Sequence, residues 1–383
     1  MEIDWLKARE EFPVLRNWVY LNTASFGPVP NRAREASLAH LRRRDEGACL
    51  DFIDWFAEAE HIRSEAAALV GAAADDIAFV PSTATALGWL LNGIAWKKGD
   101  EVAAFADEFP NNLYAPRALQ ERDVAFVEIP SPKGYFRLDE FLDRLSSRTR
   151  LVVMSSVNYA TGLRPPLEMI GAELRRREIL FCVDGTQSVG ALKMDVRSAC
   201  VDFLAVHAYK WMLCPTGIGF AYIPSWVRKW LAPSTYSWRS DKNWRDVTFF
   251  PKGSPDLPSA AMRYEGGMQN FCGLCAMGAV LEMLNGWGAE RVEQRVLDVA
   301  AKTREILRSH DAVLAVDDAD GGGSPIIAAS FPNLSMPKLS VELRRRRIAV
   351  AIRQGRLRVS PHFFTNEDDL RQLSAALDAV VQM

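Results

Sequence analysis

The sequence predicts an α/β protein in which a large domain is built on a mainly parallel sheet and a smaller α+β domain follows at the C-terminal end. Three observations carry this. From Ile77 onward, short apolar runs alternate with loops and helix-like stretches. Each run is nearly all apolar, as in strands buried on both faces of a parallel sheet. After Tyr222 the alternation stops, and shorter strands and helices return from Val313.

The elements follow in order. Residues 1–20 read as a short amphipathic helix leading to Trp18–Leu21, and residues 22–30, with Gly27, Pro28 and Pro30, read as an irregular loop. Asn31 is the expected N-cap of a helix running to about His40, and a second helix covers roughly Asp54 to Val70, stopped by Gly71. Strands are expected at Ile77–Val80, Glu101–Phe105, Val124–Ile129, Leu151–Ser155, Ile179–Val183, Phe203–Val206 and Gly217–Ile223. Helices are expected from Ala86 to Asn92, from the Asp107–Asn112 stretch that includes Phe109, and from Leu167 to Arg177. Pro224–Pro258 is a long Trp-rich excursion, of a length that marks a functional loop or an interface. Helices at Phe271–Leu284 and Glu290–Ser309 come next, then a Gly321–Gly323 turn and a final helix from Glu367. The expected organisation is an N-terminal segment, 1–25, packing on the small domain; a large domain, 26–265; and an interface helix with the small C-terminal domain, 266–383.

Composition excludes several classes. The chain has 383 residues, 49% hydrophobic and 25% charged, and a net charge of −2. That balance gives no electrostatic reason to expect nucleic acid or an anionic membrane as partner. The arginine runs 42–44, 175–177 and 344–347 lie in helix-like sequence and read as solvated faces. No apolar run reaches the ~18 residues a membrane span needs. The charged start of the chain lacks a signal-peptide core, and six cysteines without a regular framework fit a reducing compartment, so the cytoplasm is expected. Cys272 and Cys275 form a lone C-x-x-C that reads as helix packing, and no metal is expected.

The chemistry lies at strand ends, where open α/β sheets bind ligands. One strand delivers Asp184, and the next delivers His207 and Lys210. Ser82, Thr83, Ala84 and Thr85 place hydroxyls and free N–H groups at a helix start, an anion site suited to a phosphate. Phe109 can lie against a planar ring, Asp184 can pair with a protonated ring nitrogen, Gln187 can donate to a ring oxygen, and Lys210 can form a Schiff base with an aldehyde. Phosphate, ring, pyridinium and aldehyde together describe pyridoxal 5′-phosphate.

At these residues the chain resembles the class V members of the fold type I pyridoxal-phosphate enzymes, a group that includes cysteine desulfurases, isopenicillin-N-epimerase-like proteins and kynureninase. The similar pieces are Tyr20–Ala24, Val80–Thr85, Glu108–Asn112, Val183–Gln187, Tyr209–Trp211, Arg263–Gly267 and Arg358–His362. The resemblance implies a seven-stranded, mainly parallel sheet and a homodimer whose site lies at the interface, the loop matching Glu265–Asn270 reaching the partner's phosphate. It implies Lys210 as Schiff-base lysine and proton carrier, Asp184 at the pyridine nitrogen, Phe109 stacked on the ring, and Gln187 at the ring oxygen. Thr83, Ala84, Thr85 and His207 take the phosphate. Asn158, or Tyr159 beside it, is the polar neighbour of the ring, with Asn158 favoured. Arg358 takes the substrate α-carboxylate, with Arg353 and Arg356 as alternatives.

Four departures narrow the reaction. His207 stands where a Ser is common, Tyr209 where desulfurases carry His, and Met268 where a Thr touches the neighbouring phosphate; no cysteine follows Cys275. The expected activity is a C–S lyase or desulfurase-like β-elimination on an amino acid, without a persulfide cysteine. Alternatives are an aminotransferase, an amino-acid epimerase, or a catalytically silent binding protein of the same fold.

Overall fold

The computed structural model describes residues 3–248, 252–316, 323–332 and 334–381. Its centre is a seven-stranded sheet in the order Ile77–Val80, Gly219–Tyr222, Phe203–His207, Leu180–Asp184, Thr149–Ser155, Glu101–Phe105, Ala125–Ile129. All neighbours are parallel except the two pairings of Gly219–Tyr222, which runs antiparallel between Ile77–Val80 and Phe203–His207. Gly219 is required there. A Cβ on it would sit 2.0 Å from the Val206 carbonyl oxygen. Phe79, Val152, Phe181 and Leu204 pack toward one face, and Val80, Val153, Cys182 and Phe203 toward the other. Burial on both faces explains why these strands are apolar throughout rather than alternating.

A second, antiparallel sheet runs Ala351–Arg353, Arg356–Val359, Ile327–Ser330, Val313–Leu314. The helices Ala289–Ser309, Met336–Arg345 and Glu367–Val381 lay Ala300, Leu307, Leu339, Leu343, Leu373 and Leu377 onto it. The N-terminal segment joins this region. Val19–Tyr20 pairs in parallel with Ile348–Ala349, Asn22 bridges to Ser360, and the Arg9 guanidinium holds Asp369.

Several expectations are corrected in detail. Asn31 does not cap its helix: Pro30 is the cap residue, because the Asn31 N–H already donates to the Glu11 carbonyl (2.8 Å) and its side chain accepts from Arg34. That helix continues to Gly47 rather than ending near His40. Its second half, Leu41–Glu46, is made of good helix formers whose charges stay in water. Phe109 precedes its helix, which begins at Asn111 after Pro110. The helix after Ile77–Val80 starts earlier than expected, at Thr83. Gly321 and Gly322 of the expected glycine turn lie outside the described residues. No helix among the described residues is long and apolar enough to cross a membrane.

In the Trp-rich excursion, Trp244 is buried edge-on to Phe56 and Trp238 packs on Trp244, whereas Trp226, Trp230 and Tyr236 are exposed. Part of the excursion is therefore core.

Candidate active site

The C-terminal ends of two adjacent parallel strands meet at one edge of the large sheet. Leu180–Asp184 ends in a carboxylate that accepts the Thr186 N–H at 3.0 Å. Burial drives the Asp184 carboxyl above its usual range, while the Thr186 hydrogen bonds and the nearby Lys210 charge pull it down. Phe203–His207 leads into a tight turn carrying Lys210, closed by Leu213 N–H donating to the Lys210 carbonyl (3.0 Å) and Cys214 N–H to that of Ala208 (3.1 Å). The Lys210 ammonium lies 5.3 Å from the centre of the Phe109 ring and 5.4 Å from that of Tyr209. Burial lowers it to about 8; Asp184 opposes the fall, and Arg358 and Arg353 add to it. Among the described residues no side chain or carbonyl accepts a hydrogen bond from this amine. A buried amine left without an acceptor is costly, and the usual reason for keeping one is chemistry.

The loop 22–30, which the sequence marks only as irregular, clamps this turn. Gly27 N–H donates to the Tyr209 carbonyl at 2.8 Å, and a Cβ on Gly27 would fall 1.9 Å from the Lys210 carbonyl oxygen. Gln187 ties the pieces together. Its amide N–H donates to the Ala24 carbonyl (3.2 Å), and its oxygen accepts from the buried Trp211 indole (2.9 Å). One amide proton of Gln187 remains for another acceptor.

The helix Thr83–Gly93 opens at the same edge. Ser82 caps it, its hydroxyl accepting the Thr85 N–H at 3.2 Å. The Thr83 and Ala84 N–H groups are first-turn donors with no intrahelical partner, and the helix dipole favours an anion beside them. His207 is near them in role but differs in charge. Burial, then Lys210, lowers it to about 4, so the imidazole is neutral. Its Nε2 accepts the Gly217 N–H at 3.3 Å, which leaves Nδ1 as the donor.

Two expected residues are placed differently from each other. The Asn158 amide oxygen accepts the N–H groups of Ala160 and Thr161, both at 2.9 Å, and its nitrogen donates to the Asp107 carbonyl at 3.3 Å. It is thus engaged in building its own loop. Tyr159 sets its ring edge-on to Phe109, with centres 5.3 Å apart. Arg358, in the middle of the second sheet, is almost fully buried. It donates to the Tyr159 carbonyl (2.7 Å) and to the Ser25 hydroxyl (2.6 Å), and burial lowers its guanidinium to about 9. Arg353 reaches the same Ser25 hydroxyl at 3.3 Å, while Arg356 makes no such contact.

Glu108 carries a role that its place in the sequence does not reveal. Its carboxylate is fully buried beneath Asp184, taking the Ser155 N–H (2.7 Å), the Ser155 hydroxyl and the Asn112 amide (2.9 Å). Burial raises it to about 7, with Ser155 and Asn112 opposing and Asp184 adding to the rise. Its signal is an acid three residues beyond the apolar strand Glu101–Phe105. Because the folded state holds this proton more tightly than the unfolded one, stability falls as pH rises from about 4.5 through 7. Glu108→Gln carries no charge to bury, and Asn112 Oδ1, buried without a partner, can accept from the new amide. Its stability relative to wild type is expected to improve by on the order of 1–3 kcal/mol between pH 5 and pH 8. Urea unfolding at the two pH values measures this; an unchanged difference would refute it.

With the geometry in place, the family can be identified. Residues 53–367 match the model of the class V aminotransferases. The chain belongs to that family. This class V enzyme is similar to a probable cysteine desulfurase of Methanothermobacter thermautotrophicus, 24% identical with 98% of each chain covered. It is also similar to the isopenicillin N epimerase of Streptomyces clavuligerus, 25% identical with 98% of each covered. Among solved structures, the cystine C–S lyase C-DES in complex with cysteine persulfide matches with a TM-score of 0.87 at 24% identity, covering 96% of this chain and 98% of that one. That likeness is one of fold.

The cofactor of this class V enzyme is pyridoxal 5′-phosphate, and the donor set fits it. The fit rests on a buried amine without an acceptor, an aromatic ring beside it, a buried acid at the neighbouring strand end, and free N–H groups at the start of Thr83–Gly93.

Proposed function

We propose that this enzyme cleaves a β-substituent, sulfur foremost, from an α-amino acid, without forming a persulfide on a cysteine. The unpartnered Lys210 amine, set between Phe109, Asp184 and Arg358, carries the reading. When bound, the cofactor supplies an aldehyde for the substrate amine and a ring that draws electrons from Cα. Lys210, lowered to about 8, removes the Cα proton and can return it. Asp184 keeps a proton on the ring nitrogen; a ring cation there replaces part of the solvation that burial removed from its carboxylate. Phe109 lies against the ring, and Gln187 supplies its remaining amide proton to the ring oxygen. Thr83, Ala84, Thr85 and neutral His207 hold the phosphate as donors. Asn158 stays near the ring as the residue that shapes its loop, with Tyr159 at the Phe109 edge. Arg358 takes the α-carboxylate.

Two features favour a lyase without a persulfide. No cysteine follows Cys275 in the sequence. Cys214, a few residues beyond Lys210, is fully buried and its thiol is pushed up by burial, which makes it a poor nucleophile. Exposed Phe26, Leu50, Tyr236 and Met268 support a homodimer, in which the large unit 26–265 carries the cofactor and 266–383 supplies the interface helix and small unit, with 1–25 packed on it. We place this dimer in the cytoplasm.

The second reading is epimerisation or transamination, which share proton removal at Cα and the family's names. Incubation with S-substituted cysteines separates them. Catalytic release of keto acid and thiol, unaffected by cysteine alkylation, is expected. Racemised substrate, single-turnover amino transfer, loss of activity on alkylating one cysteine, or no reaction of any amino acid would overturn the lyase.

A further inference from the structure

Three other buried arginines have carboxylate partners. Arg63 and Arg239 share Glu265, and Arg228 holds Asp76. Arg358 is as buried as these, yet among the described residues its only side-chain hydrogen-bond partner is the Ser25 hydroxyl at 2.6 Å. Its Nε is buried without a partner. Arg353, half-buried, donates to the same hydroxyl at 3.3 Å and to the Ile352 carbonyl at 2.8 Å. Neither arginine has a carboxylate within 4 Å among the described residues. Lys210 is close enough to feel both, and Asp184 offsets them. The two guanidiniums thus meet at one hydroxyl with no carboxylate of the described residues on either, in a place where burial makes an uncompensated charge costly.

An α-carboxylate fills the Nε and Nη2 edge of Arg358, because a guanidinium edge matches a carboxylate bidentately. Arg353 then stays without an anion among the described residues. We infer that the substrate is an α-amino acid with a second carboxylate, which Arg353 binds while Arg358 binds the first. This rests on the reading of the pocket as an amino-acid site, and names its substrate class. Both guanidiniums donate to the Ser25 oxygen, so its hydroxyl proton is left for a carboxylate lying near it.

The test measures equilibrium binding through the visible band of the cofactor-loaded enzyme, using near-isosteric pairs that differ in charge: L-aspartate with L-asparagine, and L-glutamate with L-glutamine. The wild type is expected to bind at least one acid of these pairs about 10-fold or more tighter than its amide. Arg353→Gln is expected to weaken the favoured acid by about 10–100-fold and its amide by less than about 3-fold. Arg353→Lys, which keeps the charge and loses the fork, should fall between. Equal loss for acid and amide would overturn the inference and put both arginines on one α-carboxylate. No preference in the wild type would also overturn it. A band that responds to no amino acid would instead overturn the amino-acid site itself, so the two failures are distinguishable. Thermal unfolding of each variant reports whether the fold is kept, and among the described residues Arg353 makes no ion pair whose loss would unfold it.

Discussion

Lys210→Ala is expected to lose the visible band of the lysine-attached cofactor and to lower turnover by at least roughly 10²–10⁴-fold, the range that a positioned proton-transfer group supplies. The same substitution should leave the fold intact. The amine is buried, has no hydrogen-bond acceptor among the described residues, and is lowered to about 8 by burial ahead of any charge effect. The unfolded chain holds that proton more tightly, so wild-type stability rises as pH climbs from about 8 toward 10.5, and below 8 the cost of the buried cation stands in full. Removing the side chain removes that cost, and the carboxyl of Asp184 is already raised by burial. Thermal unfolding of the cofactor-free proteins at pH 7 should therefore show a melting temperature no lower than wild type. Retention of the visible band would refute the assignment, and a collapse of stability would show that Lys210 holds the fold rather than the chemistry.

Glu265→Ala is expected to do the opposite, costing about 3–5 kcal/mol of stability, the usual result of stripping the partner from a buried charge. Glu265 is fully buried. One carboxylate oxygen accepts from Arg63 (2.6 Å) and from the Phe79 N–H (2.8 Å); the other accepts from Arg239 (3.3 Å) and Gln269 (3.0 Å). Arg63 lies over the Phe79 ring and Arg239 over that of Phe56. Without the carboxylate, two guanidiniums remain in apolar surroundings, and burial is already the leading influence on both. The anchor joins three distant segments: the helix Phe52–Val70, the sheet-edge strand Ile77–Val80, and the Trp-rich excursion through Arg239. Urea unfolding measures the loss. A change below about 1 kcal/mol would mean that water reaches the two arginines once the acid is gone.

These two residues differ in how far the sequence reveals them. Asp184 ends one apolar run and Lys210 lies in the turn just after another, so each is placed by a local pattern that any parallel sheet imposes. Glu265 also sits in a recognisable stretch, Arg263–Gly267, yet nothing local says that its side chain turns inward to two arginines. Asn31 shows the reverse error. Its residue type marks a helix start, but the Glu11 carbonyl claims its N–H and moves the cap to Pro30. Asn158 adds a loop-building role that its type alone does not reveal, its amide oxygen accepting from Ala160 and Thr161.

The sheet, the acid and amine at its strand ends and the phosphate-suited helix start are all legible in the amino-acid sequence, and through them the family and its cofactor. Such features are local: burial on both faces demands apolar runs, and a strand end demands a turn, so each leaves a readable mark. The tertiary structure alone decided that Gly27 clamps the Lys210 turn, that Glu108 lies beneath Asp184, and that Arg353 joins Arg358 at Ser25. Those contacts join residues far apart in the chain through single hydrogen bonds and close backbone approaches. They have no period and no fixed spacing, and only the folded packing brings them together.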